Sequence, residues 1–250
     1  MPTYTITGAR GGIGLEYVAQ LSRDPANTVV ALVRSASSSA GFSSLAATQA
    51  TSKATVHILE CDVASEASIS ALPGILSAAL GDSARVDVLI NNAATLQYAS
   101  QTSLTLDAAG LEVHMTSNVL GPARMVQVML PFLTARGDGE GRAAAVVANI
   151  TSGAGSLSQI SEGRVRPVLA GYSLSKAALN MLTVHQAKEL RSKGVIVVVV
   201  DPGHVKTAAG GPGATVEVED SAGSVLRLLA GLRDEDSGRF YLYNGTSVPW

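Results

Sequence analysis

Thr3-Tyr4-Thr5-Ile6-Thr7-Gly8-Ala9-Arg10-Gly11-Gly12-Ile13-Gly14 opens the chain as a β-branched run that breaks into four glycines. Thr3, Thr5, Ile6 and Thr7 favour an extended strand. From Ile13 to Ser22 apolar residues recur at helical spacing, so a helix follows the glycines directly. Glycine lets the backbone turn sharply and lets a bound group come close. The N-terminus of the helix presents unpaired N–H groups and the positive end of a dipole. A glycine turn can also be only a turn. In a first strand-to-helix connection, however, it is where a dinucleotide pyrophosphate is expected.

The pattern outside this stretch agrees. Strand-like runs at 28–33, 55–59, 86–90, 143–150, 195–200 and 240–243 alternate with helical patterns at 67–80, 104–116, 119–135, 172–191 and 221–232. That alternation predicts a parallel α/β sheet covered by helices on both faces, with right-handed crossovers. The run Val195 to Val200 is purely apolar, as a strand buried on both faces should be. The Ser-, Ala- and Thr-rich segment 35–52 reads as a loop and weak helix. No linker interrupts the alternation, so residues 1–250 are expected to form a single domain. Two long irregular stretches, 152–171 and 203–220, leave the carboxyl ends of the fifth and sixth strands. Open α/β sheets bind ligands at that edge.

Composition narrows the function. Eighteen Lys and Arg against 20 Asp and Glu give a net charge of −2, with no basic excess for nucleic acid. The single cysteine, Cys61, forms no internal disulfide, and the four histidines His57, His114, His185 and His204 lack ligand spacing. No metal is expected. The chain enters its first strand without a signal-like segment, and no run approaches membrane-spanning length, so a cytoplasmic protein without a membrane partner is expected.

Tyr172-Ser173-Leu174-Ser175-Lys176 carries the chemistry. Positions four apart share a helix face, which makes the phenol and the ammonium neighbours. At roughly 4 Å and an effective dielectric of about 20, their attraction is on the order of 4 kcal/mol. That is enough to lower a phenol pKa of about 10 towards neutrality, where proton transfer is most effective. Taken alone, a Tyr and a Lys at this spacing are more often ordinary surface residues.

Taken together, these stretches resemble the short-chain dehydrogenase/reductase family. Thr7 to Gly14 looks like its TGxxxGIG motif, Tyr172 to Lys176 its YxxxK motif, and Asn91-Asn92-Ala93-Ala94 its NNAG motif with Ala94 for the usual glycine. Cys61-Asp62-Val63 and Pro202-Gly203-His204-Val205-Lys206-Thr207 match its later landmarks in the expected order. The opening stretch and the tail ending Pro249-Trp250 are similar to its carbonyl-reductase-like members, of C-factor and sniffer type.

The resemblance implies a doubly wound sheet of the Rossmann type and an Asn-Ser-Tyr-Lys tetrad of Asn118, Ser152, Tyr172 and Lys176. Thr151 competes with Ser152. In this reading Tyr172 donates a proton, Ser152 orients a carbonyl, Lys176 lowers the phenol pKa and holds the cofactor ribose, and Asn118 positions a water. Gly8, Gly12, Ile13 and Gly14 would hold the pyrophosphate. Asp62 and Val63 would flank the adenine, Asn91 and Ala93 would line the adenosine ribose and support the central sheet, Thr207 and the Val205 backbone would hold the nicotinamide carboxamide, and Pro202 and Gly203 would also bind the cofactor.

The second strand ends Leu32-Val33-Arg34-Ser35, without the acid that selects NAD. Arg34, with Arg10, suits a 2′-phosphate, so NADP(H) is expected over NAD(H). A small carbonyl or alcohol substrate and a homo-oligomer, a dimer or tetramer, complete the expectation, with 126–133 as a pairing surface. Ser156, Ser158, Ser161, Arg164 and Arg166 are expected to wall the substrate pocket. Leu96 and Gln97 should face it, and Gly210, Gly211 and Gly213 should let a lid close. Two other readings stay open: a dinucleotide sensor without turnover, and non-redox chemistry in the same pocket.

Overall fold

The sheet is built from strands rich in β-branched residues. In the computed structural model, which describes residues 1–36, 40–81, 84–134, 144–165 and 169–250, these are β1 (Thr3–Thr7), β2 (Thr28–Val33), β3 (Thr55–Glu60), β4 (Val88–Asn91), β5 (Ala145–Ile150), β6 (Val195–Asp201) and β7 (Phe240–Leu242). They form one seven-stranded sheet in the order β3-β2-β1-β4-β5-β6-β7. Every pairing between these strands is parallel. The order reverses between β1 and β4, which opens a crevice at the carboxyl edge beside the glycine turn.

Among the described residues eight α-helices flank the sheet: α1 (Gly12–Leu21), α2 (Ala40–Ala50), α3 (Glu66–Leu80), α4 (Ala108–Met115), α5 (Gly121–Thr134), α6 (Leu157–Ser161), α7 (Ala170–Leu190) and α8 (Val218–Ala230). On one face Ile6, Val29, Ala31, Ile90, Ala148 and Val198 pack against α1 and α8. On the other, Val30, Leu32, Leu89, Val147 and Val197 pack against α3 and α5. Each fully buried Val or Leu side chain is worth about 1.5–3 kcal/mol. Those two layers hold the strand ends in place.

Several expectations change. The segment expected to be a loop and weak helix holds α2, a regular helix of 11 residues. The helix expected from Leu104 begins at Ala108, because the Asp107 carboxylate accepts from Gly110 N at 2.7 Å and caps it there. The break expected between two helices near 117 is instead a π-helical turn, Thr116–Leu120, joining α4 to α5. The apolar stretch 126–133, expected to pair with a second copy, mostly faces the core: Val126, Met129, Phe132 and Leu133 are all buried. Residues 135–136 and 143, at the edges of expected elements, and Arg166 lie outside the described residues. Among the described residues no helix is long and apolar enough to cross a membrane.

Candidate active site

The glycine turn forms because side chains would not fit. Gly8 takes φ +68°, and a Cβ there would lie 2.9 Å from the Ala93 Cα. A Cβ on Gly14 would lie 2.4 Å from the Gly8 carbonyl oxygen. The turn therefore packs directly on the loop after β4, where Asn92 Nδ2 donates to Thr7 O at 3.0 Å. Thr7 Oγ1 accepts from the backbone N of Asn92 and of Ala93, at 3.0 and 2.9 Å. Gly11 caps α1 without any side-chain hydrogen bond, so the first N–H groups of a ten-residue helix face the crevice.

That crevice has a volume of about 1000 Å³. Gly8, Gly12, Ile13, Arg10 and Arg34 line one end, with Asp62, Val63 and Ala93 beside them. Tyr172, Lys176, Pro202 and Thr207 line the other. Among the described residues neither guanidinium has an ion-pair partner. The phosphate-sized cradle, the uncapped helix end and two unpaired cations fit a phosphorylated dinucleotide. Asp62 also caps its own turn, accepting from Ala64 N at 3.0 Å. A second groove of about 490 Å³, between α8 and β7, contains none of these residues.

Four residues expected to bind cofactor lie behind the crevice surface. Gly14 is buried in the turn's packing, Val205 is buried, and Gly203 takes φ +82° against Tyr243. Asn91 is the clearest correction. Its side chain points into the sheet, where Nδ2 donates to Asn149 Oδ1 at 2.8 Å. Asn149 in turn donates to Thr183 Oγ1 and Gln186 Oε1 on α7, at 2.8 and 3.1 Å. Asn92, not singled out in the sequence, takes the crevice wall instead. Ala94 needs no adjustment for its missing glycine: among the described residues only Tyr98 and Leu169 carry positive φ without being glycine.

At the other end, Tyr172 sits in the first turn of α7; Ser152, whose hydroxyl accepts from Ala154 N at 3.1 Å, is the side chain that acts to lower the phenol pKa. Thr151 points the other way, donating to Asn180 Oδ1 at 2.6 Å, so Ser152 alone of the two faces the phenol. Lys176 is 2% exposed; its Nζ donates to Ile150 O at 2.7 Å and lies 5.6 Å from the Tyr172 ring centroid. Asn118, fully buried in the π-helical turn, is committed on three sides. It donates to Thr95 O and Ser175 Oγ, at 3.1 and 3.0 Å, and accepts from Thr95 N at 2.8 Å. Its side chain thus fastens the loop after β4 to α7. Turns of this kind recur at functional sites.

The electrostatics overturn one expectation. Burial and the Asp201 carboxylate push the Tyr172 phenol up to about 12; the Ser152 hydrogen bond opposes them without prevailing. Desolvation lowers Lys176 from 10.5 to about 8, which Asp201 resists. Burial and Asp201 raise the phenol pKa by more than a neighbouring ammonium can lower it. Asp201 ends β6. Its buried carboxylate accepts from Gly153 N at 2.7 Å and Gly203 N at 2.8 Å. Burial raises its own pKa, against those two N–H groups and Lys176. His114, on α4, meets the Tyr172 ring edge-on at 6.2 Å and donates from Nδ1 to Gly110 O at 2.6 Å.

The substrate wall also differs from expectation. Gln97 lines the crevice and Leu96 does not. Ser156 and Ser158 donate to Pro249 O and Trp250 O, at 2.6 and 2.8 Å, tying α6 to the tail of the chain. Arg164 pairs with Glu162 at 2.7 Å. The glycine-rich segment after β6 is braced, not free. His204 Nε2 donates to Gly210 O at 2.7 Å, Lys206 N donates to Val216 O at 2.9 Å, and Lys206 pairs with Glu217.

Comparison with known proteins agrees with this geometry. The profile of the short chain dehydrogenase family matches residues 3–214. C-signal of Myxococcus xanthus is 41% identical over 167 residues, covering 66% of this chain and 93% of that protein. The NADPH-bound carbonyl reductase from chicken fatty liver superposes with a TM-score of 0.86 at 29% identity, covering 100% of this chain and 99% of that one. Carbonyl reductase Sniffer of D. melanogaster gives 0.86 at 25% identity over 100% of both chains. With a family profile spanning β1 to β6, the glycine turn and the Tyr172 helix alike, the chain belongs to the short-chain dehydrogenase/reductase family, among its carbonyl-reductase-like members.

Proposed function

We propose that this oxidoreductase is an NADPH-dependent carbonyl reductase whose reacting groups are Ser152, Tyr172 and Lys176, with Asn118 as a positioning residue. The observation that carries the reading is one crevice that joins Tyr172 and buried Lys176 to a glycine cradle and two arginines that have no ion-pair partner among the described residues. NADPH, which the chicken liver carbonyl reductase binds, fits that cradle. Gly8, Gly12 and the first turn of α1 would hold its pyrophosphate, and Arg34 with Arg10 its 2′-phosphate.

When bound, the reduced nicotinamide supplies the hydride. The protein supplies orientation and a proton. Ser152 donates a hydrogen bond to the substrate oxygen as negative charge builds there. Tyr172 then gives up its phenolic proton. A phenol held protonated up to about pH 12 is a poor base but an adequate donor to an alkoxide, which is far more basic. In the working pH range the phenol therefore carries the proton that carbonyl reduction consumes. Lys176, buried behind the phenol, carries the charge that stabilises the phenolate as it forms.

The substrate is a neutral ketone, aldehyde or quinone. Beyond Lys176, the crevice wall at this end offers Thr95, Gln97, Val113, Ser117, Ala208 and Ala209, none of them charged. An acidic substrate has no support from Arg164, which is paired with Glu162. Exposed Leu120, Leu174 and Met181, and not 126–133, supply the surface for a second copy.

NADPH oxidation with a panel of neutral ketones, aldehydes and quinones tests the reading. Net consumption with at least one is expected. Tight NADPH binding without turnover of any would favour the sensor, and conversion of a ligand without net NADPH consumption would favour non-redox chemistry.

A further inference from the structure

Six valines and isoleucines in succession, Val195 to Val200, lead to a buried aspartate, and the hydrophobic logic of the strand does not explain it. A buried carboxylate is costly unless hydrogen-bonded or paired. Asp201 is 9% exposed, and no cation lies within ion-pair distance of it among the described residues. It spends its two oxygens on two different turns. Oδ2 accepts from Gly153 N, the residue after Ser152, and Oδ1 accepts from Gly203 N, at the start of the segment that carries Thr207. One carboxylate thus spans the exits of β5 and β6.

We propose that Asp201 is a positioning residue for the reacting centre, tying the Ser152 turn to the Gly203 turn and supplying the buried negative charge that faces Lys176 and Tyr172. The inference rests on the carbonyl-reductase reading and deepens it. Two other elements face this pair of groups. From β5 come the Ser152 hydroxyl and the Ile150 carbonyl, which do not titrate in the working range. From α4 comes His114, edge-on to the Tyr172 ring. On α7 the pair face each other. Asp201 is the negative side chain among them, and it acts on both: it favours the proton on the ammonium and on the phenol.

The test is Asp201→Asn, near-isosteric but uncharged. Removing the carboxylate lets Lys176 and Tyr172 lose their protons at lower pH. The alkaline limb of kcat for carbonyl reduction should therefore move to lower pH by roughly half a unit or more. The loosened Ser152 turn should lower kcat by about tenfold or more. NADPH affinity, measured by fluorescence titration, should change little. An alkaline limb that stays in place, whatever happens to kcat, would overturn the proposal and leave Asp201 a structural staple. Asp201→Ser, which keeps an acceptor for one turn, is read in the same way if the Asn variant is insoluble. Insolubility of both would overturn the proposal too, by making the carboxylate a requirement of folding. Failure of the underlying reading looks different: Tyr172→Phe would then retain turnover, regardless of Asp201.

Discussion

At the nucleotide end of the crevice, Gly8 and the first turn of α1 present bare backbone, and exposed Arg34 with half-buried Arg10 stand without partners among the described residues. At the reacting end, Lys176, Asn118, Ser175 and Asp201 are all buried, and each spends its polar atoms on another part of the chain. The first end is made of local geometry and waits for a ligand to satisfy it. The second is a closed network in which protein satisfies protein. Binding can be built from a turn and two surface cations, whereas placing a proton donor takes strands β5 and β6 and helices α4 and α7 together. The two ends should therefore answer differently to substitution.

The sharpest separation comes from Tyr172→Phe, which removes the proton donor and leaves the cradle intact. Turnover should fall about 10³-fold, with NADPH affinity within about twofold of the parent. Parallel loss of both, read by steady-state kinetics and ligand titration, would break the division between the ends. Gly14→Ala attacks the opposite end, forcing a methyl to within 2.4 Å of the Gly8 carbonyl oxygen. A cost of about 1–3 kcal/mol in stability is expected, with a matching loss of cofactor affinity, measured by urea unfolding and titration. An unchanged unfolding midpoint would mean that the turn has room to move.

Arg34→Asp is gentler. One charge-assisted contact is worth about 1.5–3 kcal/mol, so the preference for NADPH over NADH should drop by about 10- to 100-fold while kcat with saturating cofactor holds. An unaltered preference would remove Arg34 from the site.

The smallest effect concerns Lys176 in the folded protein alone. Its pKa is lowered from 10.5 to about 8 by burial. Below about pH 8 it is charged in both folded and unfolded states, and the fold bears the desolvation cost. Between about 8 and 10.5 the unfolded chain binds more protons than the folded one, so stability rises with pH. Tyr172, raised from 10.0 to about 12, acts in the opposite sense above pH 10, which bounds the window. Lys176→Met lacks the first term. The Tm of the parent should therefore gain on that of the variant as pH is raised from about 7.5 to 10. A constant difference in Tm would mean that the ammonium is not desolvated.

The helix that carries Tyr172 shows how far sequence reading reaches. Ala177, Ala178, Leu179, Met181 and Leu182 do mark a helix, and α7 is there. The face they suggest is wrong: Met181 is 61% exposed, while Ser175, Lys176, Asn180, Thr183 and Gln186 are buried. A polar face turns inward because β4 and β5 offer Asn91 and Asn149 to meet it. Periodicity identifies the element but cannot choose its inner side when the surface opposite is itself polar. The same limit hid Asp201 and His114, each an unremarkable residue until a distant strand or helix faces it.

Local rules were enough for the strand-turn-helix at Thr3 to Leu21, the alternation of elements, the helical spacing that makes Tyr172 and Lys176 neighbours, and the missing acid after β2. Each depends on residues close in sequence or on steric limits of the backbone. The acidity of the phenol, the choice of Ser152 over Thr151, the inward turn of Asn91 and the place of Asp201 were decided only by tertiary structure. They depend on how much water remains around a group and on which dipoles face it, and both are set by residues far away in the chain.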